Sequence, residues 1–262
     1  MEKKERARER DQAILDRLLL NGNLSAEQIA EQLGVSSVTV RRDLKRLQTD
    51  GRLRRIRGGA VAVQPLMYEA FRHDSSFQEQ IERNAEEKRR IAVAAVELIA
   101  DGDTIGLTPG TTTTQVTRSI PARNRVTVVT NTVNIAMELS KRSDVEVLVI
   151  GGFLRGDWFS LVGPPAVQAL QHLVLDRVFI GVNGIDAKWG LTAFNPDEAC
   201  VNRALIERAK QRIVVADHTK LGVAATHEFW AADRIDILFT DAGAADPAIA
   251  PFLEKGIEVR RV

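Results

Sequence analysis

Residues 33–61 read LGVSSVTVRRDLKRLQTDGRLRRIRGGAV. Gly34 supplies the sharp turn that joins two helices, because glycine alone enters the left-handed region without a Cβ penalty. Ser36 is placed to cap a helix whose apolar stripe is Val40, Leu44 and Leu47. Upstream, Ser25 and Gln28 form a capping box in front of Ile29, Ala30 and Leu33, which predicts a preceding helix. Further back, Ile14, Leu15, Leu18 and Leu19 recur at helical spacing, so residues 11–21 read as a helix stopped by Asn21-Gly22. Downstream, Asp50-Gly51 opens a basic segment with Arg52, Arg54, Arg55 and Arg57 before Gly58-Gly59. That segment reads as a β-hairpin wing, with Leu53 and Ile56 turned inward. Helix, glycine turn, capped helix and wing make a winged helix-turn-helix.

The chemistry of this head is that of a phosphate and base reader. Hydroxyls and a helix N-terminus accept phosphate, and arginine bonds guanine bidentately. The candidate DNA contacts are Ser36, Ser37, Thr39, Arg41, Arg42, Lys45 and Arg46 on the helix, with Arg54, Arg55 and Arg57 on the wing. The whole chain of 262 residues carries a formal charge of only +1, which hides a split. Residues 1–61 hold 14 Lys/Arg against 9 Asp/Glu, while residues 62–262 hold 22 against 26. A basic head joined to a mildly acidic body implies two functional units.

Composition excludes several classes. At 44% hydrophobic residues the chain buries a real core and is not disordered. The charged start MEKKERARERDQ is no signal peptide, and no apolar run approaches the ~18 residues of a membrane span. The single cysteine, Cys200, fits a reducing, cytoplasmic setting. Four scattered histidines and the absence of a Gly-Lys-Ser/Thr run argue against a zinc site and a nucleotide-binding P-loop, so no metal or cofactor is expected.

Residues 62–76, with Pro65, read as a linker, and a helix starts near Phe77 with Ile81, Ile91, Ala95 and Ile99 on one side. Beyond it, apolar runs at 103–108, 125–130, 145–150, 177–182, 212–216, 235–240 and 257–261 read as strands. Helical patterns at 112–120, 132–142, 164–173, 198–209 and 246–254 fall between most of them. Short Val/Ile runs alternating with helices predict a parallel sheet covered on both faces, an α/β domain over 77–262. Ligands of such sheets bind at the carboxyl ends of the strands. Gly110 followed by four threonines at a helix start is a candidate anion cradle, and Lys220 supplies a cation. Asn131, Asp186 and Glu198 are candidates for bonding sugar hydroxyls, although each residue type also serves as a cap or turn.

The stretch 33–61 resembles the DeoR family of bacterial transcription regulators, with Arg57 standing where a histidine is usual. The resemblance extends from about Phe77 to Asp241 through EKRRIAVAAVELI, GTTTT, TVVTNTVNIA, DRVFIGVNGID and GLTAFNPDEACVNRALIERA. It implies a sensor domain similar to ribose-5-phosphate isomerase that binds a phosphorylated sugar or related metabolite. It implies phosphate contacts from Gly110, Thr111, Thr112 and Thr113. Further effector contacts are implied for Asn131, Gly152, Arg155, Asn183, Gly184, Asp186, Glu198 and Lys220. Thr108-Pro109 and His218 depart from the family pattern in the region of the expected pocket.

The expectation is a sequence-specific DNA-binding regulator, a repressor of a carbohydrate-utilisation operon, whose partners are operator DNA and a small-molecule effector. A homodimer or homotetramer is expected, because symmetric operators need two recognition helices. The alternative is a sugar-phosphate isomerase fused to a DNA-binding module, with Asp186, Glu198 or Asp217 as base. The missing aspartate at 108 and the basic head argue for a regulator without catalytic residues.

Overall fold

The computed structural model describes residues 10–49 (12, 16 and 19–22 excepted), 53–56, 58–62, 75–122 and 125–262. The helix stop expected at Asn21-Gly22, most of the linker 62–76 and Arg57 lie outside these. By packing, the chain divides into two compact units, Met1–Ser75 and Ser76–Val262.

In the first unit every described position between 10 and 18 is helical. Strand β1 (Asn23–Ser25) follows, then the helices Ala26–Leu33 and Ser37–Thr49, then β2 (Leu53–Ile56) and β3 (Gly59–Ala62). Ser25 and Gln28 make the capping box in both directions, and Gly34 closes the first helix at φ 63°. The Ser36 hydroxyl accepts the Thr39 N–H at 3.2 Å and so caps the second helix. Strand β1 escaped the sequence reading because three residues carry no periodicity. It pairs antiparallel with β3, which also pairs with β2, and the wing becomes a three-stranded sheet. Gly59 makes this possible: a Cβ there would stand 2.2 Å from the Leu24 carbonyl oxygen. Ile14, Leu18, Ile29, Val40, Leu44 and Leu47 close the core, each contributing about 1.5–3 kcal/mol of burial. Leu53 joins them, whereas Ile56, expected inside, is 42% exposed. Three positions separate the two, so a period-2 strand puts them on opposite faces.

The second unit is built on a seven-stranded sheet, formed by β4 (Thr104–Leu107), β5 (Val126–Thr130), β6 (Val145–Val149), β9 (Leu175–Ile180), β12 (Ala209–Val215), β14 (Ile237–Thr240) and β15 (Glu258–Arg261). Their order is β15-β14-β12-β9-β4-β5-β6, and every pairing is parallel. These are the seven expected strands. Alternate residues go to opposite cores: Phe179, Ile213, Val215 and Phe239 to one, Val178, Ile180, Val214 and Leu238 to the other. Burial on both faces is the reason the runs are continuous rather than alternating.

Two antiparallel additions were not expected. One is the hairpin of β7 (Phe153–Arg155) and β8 (Ser160–Val162); the other is β10 (Gly184–Asp186), β11 (Gly190–Ala193) and β13 (His227–Trp230). The helix expected from Phe77 is two helices, Ser75–Glu82 and Ala85–Ala95, broken at Asn84 with φ 51°. Asparagine tolerates that left-handed conformation better than other side-chain-bearing residues. The Lys88 ammonium donates to the Gln80 carbonyl and, at 2.7 Å, to that of Arg83, satisfying the carbonyls the break frees. The strand order reverses between β4 and β9, which opens a crevice at their carboxyl ends.

Candidate functional site

Two surfaces carry the candidate chemistry, one in each unit. On the helix Ser37–Thr49 the buried side is Val40, Asp43, Leu44 and Leu47, and the opposite side presents Arg41, Arg42 and Lys45 to solvent. Arg41 also bonds Glu27 at 2.8 Å, an exposed pair of small energetic weight that a phosphate could displace. Arg46 differs from its neighbours. It donates to Asp11 at 2.5 Å and pairs in charge with Asp43 at 3.0 Å, and Asp43 in turn accepts from Arg10 at 2.6 Å. Asp43 is fully buried, so this network ties residues 10–18 to the helix. Ser36 and Thr39 share a hydroxyl contact at 2.9 Å inside the cap, while Ser37 is half-buried. Arg55 is exposed on β2, the backbone of Arg54 lies in the same strand, and Arg57 is outside the described residues.

In the second unit a cavity opens at the β4/β9 reversal. Pro109, Gly110, Thr111 and Thr112 line it from the end of β4, and Gly181, Val182 and Asn183 from the end of β9. Lys88 and Lys220 bring positive charge, Glu198 and Asn202 bring acceptors, and Trp158, Phe194 and Phe229 bring apolar walls. The helix Thr111–Ser119 begins here with Gly110 at φ 149° as its cap, so its first N–H groups face the cavity region. Asn195 caps the helix Pro196–Glu207 by accepting from Asp197 and Glu198 N–H groups, and this sets Glu198 at the rim. Glu198 accepts from the Ser160 hydroxyl at 2.7 Å and has Arg155 3.7 Å away.

Six of the twelve expected effector residues line this cavity: Gly110, Thr111, Thr112, Asn183, Glu198 and Lys220. The other six lie outside its lining. Thr113 is fully buried, with its hydroxyl donating to the Gly110 carbonyl at 2.9 Å. Asn131 donates to the Leu161 carbonyl at 3.0 Å, and Asp186 accepts the Lys188 and Trp189 N–H groups in a turn. Gly152 and Gly184 are close-approach positions, where a Cβ would meet Val162 and Val223 carbonyl oxygens at 2.6 and 2.3 Å. Arg155 is outside the lining and stands 3.7 Å from the Glu198 carboxylate.

Both departures from the family pattern have a structural use. The Thr108 hydroxyl accepts the Gly181 N–H at 2.8 Å and clips β4 to β9. His218 turns away from the cavity lining to Asp241, its Nδ1 2.8 Å from the carboxylate. The bonds from the His218 and Gly243 N–H groups and the His218 ring hold Asp241 below the usual carboxylate range despite its burial.

Lys88 is the charged cavity residue that the sequence reading passed over. It keeps only 2% of its surface exposed, and burial pulls its pKa down to about 8. A signal was present: Lys88 shares the apolar face of its helix with Ile91, Ala92 and Ala95, where a charge is costly without a partner. Gln80 and Trp158 also line the cavity; Phe77, one turn before Gln80, packs edge-on against Trp158 and Phe159 at 5.8 and 5.0 Å.

Comparison with known proteins agrees across both units. Residues 10–65 match the DeoR-like helix-turn-helix domain, and residues 83–242 match the DeoR C-terminal sensor domain. The chain is 36% identical to the HTH-type transcriptional regulator GlpR of Haloferax volcanii, covering 89% of each protein. It is 34% identical to a putative aga operon transcriptional repressor of Escherichia coli O157:H7, covering 96% of this chain and 92% of that one. Among solved structures, ribose 5-phosphate isomerase A from Methanocaldococcus jannaschii matches 52% of this chain and 54% of its own at 18% identity and a TM-score of 0.40.

Proposed function

The chain belongs to the DeoR family of transcriptional regulators, and from that membership we propose that it represses a carbohydrate-utilisation operon and leaves its operator when a phosphorylated sugar or related metabolite binds. It is a DNA-binding regulator and not an enzyme. The operator is read by the Arg41, Arg42 and Lys45 face, supported by the wing. The effector occupies the cavity at the β4/β9 reversal. What supports that placement is that Lys88, Lys220 and the N-terminus of the helix Thr111–Ser119 line one cavity, with Glu198 and Asn202 as acceptors for hydroxyls. An anion and a polyol in one molecule describe a sugar phosphate.

The mechanism is a linked equilibrium. An effector that prefers a conformation unsuited to the operator weakens DNA binding, and DNA weakens effector binding by the same factor. The working form is a homodimer or homotetramer acting in the cytoplasm, since paired half-sites need paired recognition helices. No helix among the described residues is long and apolar enough to cross a membrane.

A thermal-shift screen of phosphorylated sugars and sugar acids on the full chain tests the effector assignment. The effector raises the melting temperature with its concentration and releases operator duplex over the same range. A panel in which no phosphorylated sugar does either sinks it.

A further inference from the structure

The helix Ser37–Thr49 carries a side chain that neither its packing nor its solubility requires. Val38 is 74% exposed, while Val40, on the far side of the same helix, is fully buried. At 3.6 residues per turn, Val38, Arg41, Arg42 and Lys45 fall within an arc of about 100°, so the valine stands on the charged face. The other described members of that face, Arg41, Arg42 and Lys45, are exposed cations. A β-branched residue is also a poorer helix former than the polar straight chains that ordinarily fill such positions. Single exposed apolar residues are commonplace; this one is notable for its place, in the first turn of the helix that meets base edges. Among its neighbours in this turn, Ser37 is half-buried and Val40 fully buried. The Ser36 hydroxyl caps the Thr39 N–H, and the two hydroxyls lie 2.9 Å apart. Val38 is therefore the side chain this turn offers outward.

The major groove displays one apolar group to a recognition helix, the C5 methyl of thymine. We propose that Val38 reads a thymine methyl in the operator, one contact that Arg41, Arg42 and Lys45 do not supply because they address acceptors and phosphates. The inference rests on the reading of this chain as a sequence-specific regulator. It adds an apolar element to a face whose polar residues fix guanine and backbone.

The test uses the full chain and the duplex it enriches from a random library. Each thymine is replaced in turn by deoxyuridine, which lacks only the methyl. For the native protein one replacement in each half-site weakens binding about fourfold, the factor that burial of one methyl-sized group provides. For Val38→Ser the same replacement changes nothing, while Val38→Thr, which keeps one methyl, retains part of the discrimination. The salt dependence of binding stays the same in all three, because the phosphate contacts are untouched. If every thymine tolerates the loss of its methyl, or if Val38→Ser loses as much as the native chain, the inference is wrong. If no duplex is enriched by the native chain, the regulator reading fails first and carries this inference with it.

Discussion

The recognition face and the sensor cavity both present cations, yet they hold them in opposite ways. Arg41, Arg42 and Lys45 stand in solvent on a convex helix, where each charge is hydrated and costs little to maintain. Lys88 is buried in a concave site, and its proton is loosened until the pKa is about 8. The exposed set suits a polyanion met over many weak contacts; the buried one suits a single small anion held in low dielectric. Under the proposed function, one side-chain chemistry serves two partners because the surroundings differ.

Ionic strength separates the two most sharply. Between 50 and 200 mM salt, operator affinity should fall about 10³-fold or more if six or more phosphates are engaged. Over the same range, effector affinity should change by no more than about threefold, because buried charges are weakly screened. Parallel titrations by fluorescence anisotropy and calorimetry check this, and equal slopes would erase the distinction.

Within the head, Arg42 and Arg46 should behave differently although only four positions separate them. Arg42→Ala should weaken operator binding by about 1–3 kcal/mol and leave the melting temperature unchanged. Arg46→Ala should act first on stability, by about 1 kcal/mol, through the lost bonds to Asp11 and Asp43. Thermal unfolding beside operator titration distinguishes them.

The cavity should answer to pH. Anion binding favours the charged form of Lys88, so between about pH 7, where a phosphate monoester is a dianion, and pH 8 affinity holds, and above that it falls by up to about tenfold per unit. Folding responds with the reverse sign. The folded pKa lies below the ordinary 10.5, so the unfolded chain binds more protons between about 8 and 10.5, and the unliganded protein gains stability from this group as pH rises through that window. Lys88→Met should remove both trends. The smallest effect expected is that of Thr112→Ala, about 1 kcal/mol in effector affinity with operator binding unaltered.

The elements legible in the sequence are those with a helical period, a capping pair or a continuous apolar run. The inner strands of the sheet are visible because Val126–Thr130 and its central counterparts are buried on both faces, and Ser25 and Ser36 announce their helices by capping chemistry. The strands of the hairpins β7–β8 and β10–β11 have three or four residues with Arg155, Ser160, Gly184, Asp186 and Gly190 among them, so they lack the continuous apolar run that marks a buried strand. The break at Asn84 was hidden by strong helix formers on both sides, Gln78 to Glu82 and Glu86 to Arg90. The cavity was legible from residues alone at Gly110–Thr112, Glu198 and Lys220, and Asn183 came with the family resemblance. Lys88, Trp158 and Asn202 reach it from separate segments, and their convergence is a product of tertiary folding.

The ammonium of Lys88 has three protons to give. The carbonyls of Gln80 and Arg83 take two, which leaves one for a solute. A molecule claiming more than that one must take it from the end of the helix Ser75–Glu82, which carries Phe77 and Gln80. Arithmetic of valence thus makes the cavity's occupant and the seam between two helices rivals for a single nitrogen.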